Sequence, residues 1–135
     1  MRLERLGGAF VRLYRFSSGI DQPLTQVVRS QADWAALWTR ISARSGEPHA
    51  PPPVDFSRDM LLAAGMGTRP TGGFAIEIDR VAEGDAELVA HVVRTSPGPR
   101  CGVTSALTQP VDVAAVPRSP KPVRWTFRDQ VRDCS

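Results

Sequence analysis

Short runs of alternating apolar and polar residues recur along the chain, and they determine its fold class. Alternation with a period of two is typical of strands that bury one face. Helices do not separate these runs in the βαβ rhythm of a parallel sheet. We therefore predict an α+β fold: a mainly antiparallel β-sheet or sandwich-like sheet with one amphipathic helix packed on it. The predicted strands cover residues 11–16, 25–29, 60–64, 74–78, 88–93, 111–116 and 123–127, with a hairpin turn at 83–86.

The one amphipathic helix is predicted for residues 30–45. Ser30 is a favourable N-cap, and Asp33, three residues further on, is a short-armed version of the capping-box acid. Large aromatic residues at helical spacing usually pack onto a sheet, and the alternative is a binding stripe. The apolar stripe at i, i+3, i+4 and i+7 consists of Trp34, Leu37, Trp38 and Ile41.

The size and composition of the chain indicate a single globular domain. It has 135 residues, of which 41% are hydrophobic and 23% charged. We expect one domain over residues 1–135 and see no internal repeat. No run approaches the roughly 18 apolar residues of a membrane span. Residues 1–8 contain no apolar segment, so no signal peptide is visible.

The formal net charge is +3, and nearly all of the positive charge is arginine, with Lys121 as the only lysine. A nucleic-acid-binding protein is expected to cluster its basic residues on one face. Here they are scattered, and acidic residues lie near many of them. We therefore expect no nucleic-acid partner, and nothing in the sequence indicates a metal or another cofactor.

The chain has two cysteines, Cys101 and Cys134. Their spacing does not fit a structural zinc site, which needs paired ligands close in sequence. They are interpreted as a disulfide, as two buried thiols, or as one reactive thiol. The position of Cys134 next to the end of the chain favours a tether, and a disulfide would imply an oxidising, extracytoplasmic setting.

An unusual loop, residues 67–74, lies between two predicted strands. Pro70 fixes its own φ, and Gly72 and Gly73 permit positive φ, so the loop has a preset shape. Its backbone N–H groups, with Arg69 beside them, are suited to close approach by a partner or to an anion nest. The alternative is an ordinary hairpin turn.

Three separated motifs, in order, resemble the PrcB C-terminal family, whose members are bacterial protease-complex-stabilising proteins. The resemblance covers about residues 59–127, and the helix with Trp34 and Trp38 is similar to a tryptophan-bearing helix that often precedes that domain. Phe74 stands where the family pattern has tyrosine and lacks its hydroxyl. The motifs are residues 69–78, 95–99 and 104–110.

The resemblance implies a non-enzymatic accessory domain, secreted or periplasmic, that binds a protein partner, with a protease as the candidate. The partner-binding residues implied by the position of the first motif are Arg69, Pro70, Thr71, Gly72, Gly73 and Phe74. The neighbouring loop, residues 95–110, is expected to belong to the same surface.

Two alternatives belong to other classes of function. Four residues of the 67–74 loop, Pro70, Thr71, Gly73 and Phe74, resemble the inserted loop of chagasin-type cysteine-protease inhibitors, although an extra glycine changes the spacing. A small thiol-dependent enzyme would use Cys101 as nucleophile with His49 or His91 as base. No motif surrounds either histidine, so we expect no enzymatic activity.

Overall fold

The computed structural model describes residues 10–44 and 50–134, which form two stacked β-sheets and one helix. The first sheet has the strand order β1-β6-β3-β2 and is antiparallel throughout, whereas the second sheet has the order β4-β5-β7. The expected α+β fold, sandwich-like and mainly antiparallel, is confirmed. The elements are β1 (Val11–Ser17), β2 (Pro23–Val28), α1 (Gln31–Ile41) with a 3₁₀ turn (Ser42–Arg44), β3 (Asp59–Met66), β4 (Ala75–Glu83), β5 (Leu88–Pro97), β6 (Pro110–Pro117) and β7 (Val123–Arg132).

The central strands β3 and β6 are buried on both faces because the first sheet is the middle layer of the molecule. On β3, Met60 and Leu62 face the second sheet, while Leu61 and Ala63 face the helix layer. A strand buried on both sides loses the apolar–polar alternation of a half-exposed strand. The unbroken apolar run at residues 60–64 is therefore the sequence signature of a strand between two packed layers.

Helix α1 packs its predicted apolar stripe against the first sheet. The Ser30 hydroxyl accepts a hydrogen bond from the Asp33 N–H at 3.2 Å, which confirms the N-cap. The stripe residues Trp34, Leu37, Trp38 and Ile41 are all buried, so the core interpretation of the tryptophans is correct. The helix ends at Ile41, earlier than expected, and continues as a 3₁₀ turn. No helix in the described part of the chain is long and apolar enough to cross a membrane.

The β4–β5 hairpin is confirmed, but the next pairing differs from a purely antiparallel sheet. Strand β7 runs parallel to β5 and pairs with it without a register shift from Leu88↔Val123 to Pro97↔Arg132. The proline-rich segment 118–122 carries the chain from the first sheet to the second, so β7 does not return beside β6. This pairing also extends both strands beyond the predicted ends at residues 93 and 127.

One charged group lies in the middle of the two-sheet core. Asp112 is fully buried on β6 and accepts hydrogen bonds from the Arg12 side chain, at 2.8 and 3.0 Å, and from the Ile78 N–H, at 2.6 Å. Arg12 also donates to the Ile78 carbonyl at 3.0 Å. The hydrogen bond to Asp112 raises the pKa of Arg12 above its ordinary value. This cluster joins β1, β6 and β4, and therefore ties the two sheets together.

Candidate functional site

The 67–74 loop is a crossover between the two sheets. It leaves β3 in the first sheet and enters β4 in the second, so the hairpin-turn interpretation is wrong. Phe74 precedes β4, which begins at Ala75. The loop therefore lies at one end of the sandwich, where the two layers meet, and its conformation is set by contacts across that end.

The partner of the 67–74 loop is the segment between β5 and β6, residues 98–109, which we call the 98–109 loop. Arg69 and Thr108 form an isolated antiparallel bridge with N–H to carbonyl distances of 2.7 and 3.0 Å. The Thr108 hydroxyl donates to the Thr71 carbonyl at 2.8 Å, and the Gly72 N–H donates to the Thr104 carbonyl at 3.1 Å. The three motifs that carry the family resemblance thus meet in space. This loop begins at residue 98 and not at the predicted residue 95, because residues 95–97 belong to β5.

Two glycines allow this close contact between the loops. Gly73 has a φ of +89°, and a Cβ there would lie 2.9 Å from Pro97 and 3.0 Å from Val103. At Gly72, a Cβ would lie 2.6 Å from the Thr104 hydroxyl oxygen. Because the Gly72 N–H already donates to Thr104, it is not available to complete an anion nest.

Arg69 and Phe74 form a stacked pair in the loop. The Arg69 guanidinium carbon lies 4.6 Å from the centre of the Phe74 ring, within the range of a cation–π contact. The Arg69 Nε is buried and has no hydrogen-bond partner among the described residues. Both side chains are half-buried, whereas Pro70 is exposed at the tip of the loop. The stacking aligns a cation and an aromatic ring in one fixed arrangement.

An apolar groove of about 550 Å³ opens beside this pair, between the end of β1 and the start of β4. Phe16, which is 73% exposed, forms part of one wall, and Phe74 forms part of the other. Arg15 lies at the groove and is 3.7 Å from Glu77. Ile76, Thr108, Pro110 and Val111 complete most of the lining. The site therefore combines an apolar cleft with a stacked arginine–aromatic pair beside it.

Sequence reasoning predicted the 67–74 loop but missed the groove wall contributed by β1. Phe16 and Arg15 are far from the loop in sequence, and they reach it because β1 pairs with β6. The sequence signal that points to this wall is Phe16 itself, a large aromatic residue at the end of the first predicted strand. The structure brings Phe74, with Arg69 stacked on it, together with these residues, while Pro70 is exposed and does not line the groove.

Cys101 and Cys134 form a disulfide, as predicted. The bond joins the 98–109 loop to the segment after β7, and the Gly98 N–H donates to the Arg132 carbonyl at 2.9 Å in the same place. Cys101 therefore has no free thiol. His91 lies on β5, with its Nδ1 2.8 Å from the Thr126 hydroxyl oxygen, and His49 lies outside the described residues.

Removing the disulfide is expected to destabilise the protein substantially. The bridge closes a loop of 33 residues, and restriction of the unfolded chain by a loop of this size is worth about 3–4 kcal/mol. We predict that the Cys101→Ser/Cys134→Ser variant loses about that much free energy of unfolding in urea titration without reductant. Dithiothreitol should lower the urea midpoint of the wild type and leave that of the double variant unchanged. Equal urea midpoints for the two proteins without reductant would contradict the prediction.

The fold and the site define a class of small β-sandwich domain that presents a preformed loop beside an apolar groove. Residues 60–117 match the model of the family described as PrcB C-terminal, which confirms the family resemblance over this stretch. The match runs from β3 to β6 and includes both loops of the site; it is narrower than the expected 59–127. No curated protein and no solved structure matches the chain significantly.

Proposed function

We propose that the chain is a non-enzymatic binding domain that engages a protein partner, of the protease-complex type, through the 67–74 loop and the groove beside it. The observation that carries the proposal is the locking of that loop to the 98–109 loop, with the Arg69–Phe74 pair held at the rim of the groove. The family match over both loops supports the class of partner.

The rigidity of the loop supports a role in binding. A flexible loop loses conformational entropy when a partner orders it, and each immobilised side chain costs about 0.5–1.5 kcal/mol. Here Thr68, Arg69, Thr71 and Gly72 are already held by hydrogen bonds to the 98–109 loop. The loop therefore loses little further conformational entropy when a partner binds.

The chemistry of the surface matches a protein interface. Arginine and aromatic residues are enriched among the side chains that dominate binding energy. Arg69, Phe74 and Phe16 provide these residue types around a cleft whose volume lies within the usual range for a binding pocket. The groove has room for an apolar side chain of a partner, while Arg69 beside it favours an acidic neighbour on that partner.

An extracytoplasmic setting is part of the proposal. A disulfide is typical of proteins that fold in an oxidising compartment, and this one pins the 98–109 loop that shapes the site. Such a domain would bind its partner at the cell surface or in the periplasm.

A protease-inhibitor-like function is the second candidate, favoured by the exposed tip of the loop at Pro70. In that case the tip would enter an enzyme cleft, and the groove would contribute little. The two candidates therefore differ in which residues matter: Pro70 for inhibition, and Arg69, Phe74 and Phe16 for accessory binding.

The test is capture of partners from the native cell-envelope fraction, with quantitative mass spectrometry. Immobilised wild type is compared with Arg69→Glu, which reverses the rim charge, and with Gly72→Val, which presses on Thr104 and displaces the loop. Loss of an interface anchor typically costs at least about 2 kcal/mol, so we expect roughly thirtyfold less of the specific partner with either variant.

Arg40→Glu is the matched control, because Arg40 is an exposed arginine in the last turn of α1 and does not line the groove. It should capture as the wild type does, and thermal unfolding must show that all variants fold. Equal capture by all four proteins would place the binding surface elsewhere. If the partner is a protease, its activity is followed over time with and without the added domain. A longer half-life of the protease activity supports the accessory role. Loss of the protease activity that depends on Pro70 supports inhibition.

A further inference from the structure

The outer edge of β7 is the starting point of the inference. Within residues 10–44 and 50–134, strand β7 is the last strand of its sheet, and it runs for ten residues, Val123–Arg132. Sheet edges are usually protected by proline, bulges or charge, because their free N–H and C=O groups can pair with another strand. This strand contains no proline and pairs with β5 without a bulge, so only its charged residues restrict what can pair with it.

The direction of the backbone groups on β7 follows from two hydrogen bonds to β5. The carbonyls of Pro122 and Arg132 accept from Leu88 and Gly98, both at 2.9 Å. Backbone groups alternate in direction along a strand, so the even-numbered residues point toward β5. The odd-numbered residues, with Phe127 at the centre, therefore direct their N–H and C=O groups outward.

The side chains of those odd-numbered residues lie on the face that packs against the first sheet, but the sheet does not cover all of them. Val123 and Trp125 pack against the core, whereas Phe127 is 44% exposed and Val131 is 67% exposed. The apolar face of β7 thus continues past the core, next to the outward-pointing backbone groups of the same residues. A strand added at this edge would extend the sheet and cover both side chains.

From this edge we infer that β7 pairs with β7 of a second copy of this chain, antiparallel and centred on Phe127. Such a dimer has a two-fold axis perpendicular to a continuous six-stranded sheet. Phe127 then lies opposite Phe127 of the second copy, and Val131 lies opposite Val123. Aromatic pairs and apolar pairs in opposite positions stabilise antiparallel strands.

The length and the charges of β7 together select this register. Centring on Trp125 brings no like charges together, but it pairs only residues 123–127 of the strand, whereas centring on Phe127 pairs residues 123–131. A pairing centred on Thr126 places Arg124 opposite Arg128 of the second copy. A pairing centred on Arg128 or on Asp129 places that residue opposite the same residue of the second copy. Like charges in opposite positions are destabilising. Centring on Phe127 instead places Arg124 opposite Gln130 and Arg128 opposite Thr126, and no like charges meet.

The first test is the mass of the intact protein as a function of concentration, by sedimentation velocity. Pairing one strand covers less surface than a standard stable interface, so a weak, reversible dimer is expected. Gln130→Glu places an acid opposite Arg124 twice per dimer and should tighten association by about twofold to thirtyfold, whereas Gln130→Arg should weaken it by a similar factor. Both variants alter one exposed side chain, so they form a matched pair.

The second test determines the register, with a short bis-maleimide that leaves the disulfide intact. Opposite residues in an antiparallel pair lie about 4.5–5.5 Å apart at Cα, so Phe127→Cys should cross-link between copies. Val131→Cys is the control, because two copies of residue 131 would be about 27 Å apart along the strands. A monomer at every concentration up to about 1 mM, the reverse order of the Gln130 variants, or equal cross-linking at both positions overturns the proposal.

Discussion

Replacing Asp112 with alanine is expected to lower the free energy of unfolding by about 3–4 kcal/mol. The substitution leaves the Ile78 N–H without its buried acceptor, which costs about 1–3 kcal/mol. It also leaves the partly buried Arg12 guanidinium without its carboxylate, and breaking a buried ion pair by removing one partner is strongly destabilising. Chemical denaturation of the variant measures the loss directly.

Asp129→Ala is the matched control for Asp112. Asp129 also forms a short ion pair, with Arg94 at 2.6 Å, but its side chain is 72% exposed. Exposed ion pairs contribute about 0–1 kcal/mol, because water screens and solvates both groups. If Asp129→Ala were as destabilising as Asp112→Ala, burial would not be the cause, and the Asp112 cluster would not be what joins the two sheets.

Replacing Trp34 with alanine is expected to lower the free energy of unfolding by about 3–5 kcal/mol, as much as Asp112→Ala or more. Its ring is fully buried between α1 and the first sheet, 5.5 Å from the centre of the Trp38 ring. The substitution opens a large cavity and removes the hydrogen bond from the indole N–H to the Pro52 carbonyl, which has a length of 2.9 Å. Thermal and urea unfolding should both show the loss.

Phe16→Ala provides the comparison with an exposed aromatic residue. Because Phe16 is 73% exposed and has the edge of the Tyr14 ring as its aromatic neighbour, this substitution should lower the free energy of unfolding by no more than about 1 kcal/mol. It removes part of the groove wall, however, and should weaken partner capture. A large loss of stability at Phe16, or a small one at Trp34, would mean that the helix layer is not packed as described.

The 67–74 loop shows how far the sequence predicts the candidate site. Pro70, Gly72 and Gly73 indicate a loop of preset shape, because the conformational limits of proline and glycine are local properties. The assignment of Arg69–Phe74 to a partner surface stays a prediction. The sequence did not indicate that Thr104 and Thr108 hold the loop, since those contacts join residues more than 30 positions apart and depend on where β4 and β6 lie.

The groove and the Asp112 cluster could not be predicted for the same reason. A single aspartate in the apolar segment 111–116 carries no local sign of its partners. Arg12 reaches it from β1 and Ile78 from β4, across the interface between the sheets. Phe16 becomes a groove wall only because β1 is the edge strand beside β6.

The sequence by itself determined the type of each element and which of its faces is apolar. The helix stripe of α1, the N-cap Ser30 and the alternation along β4 and β5 follow from periodicity and backbone preference, which act over a few residues. Tertiary structure decided which strands pair and in which direction. The parallel β5–β7 pair, the division into two sheets and the position of the site between them depend on how whole apolar faces are buried against one another, and periodicity within one segment does not encode that choice.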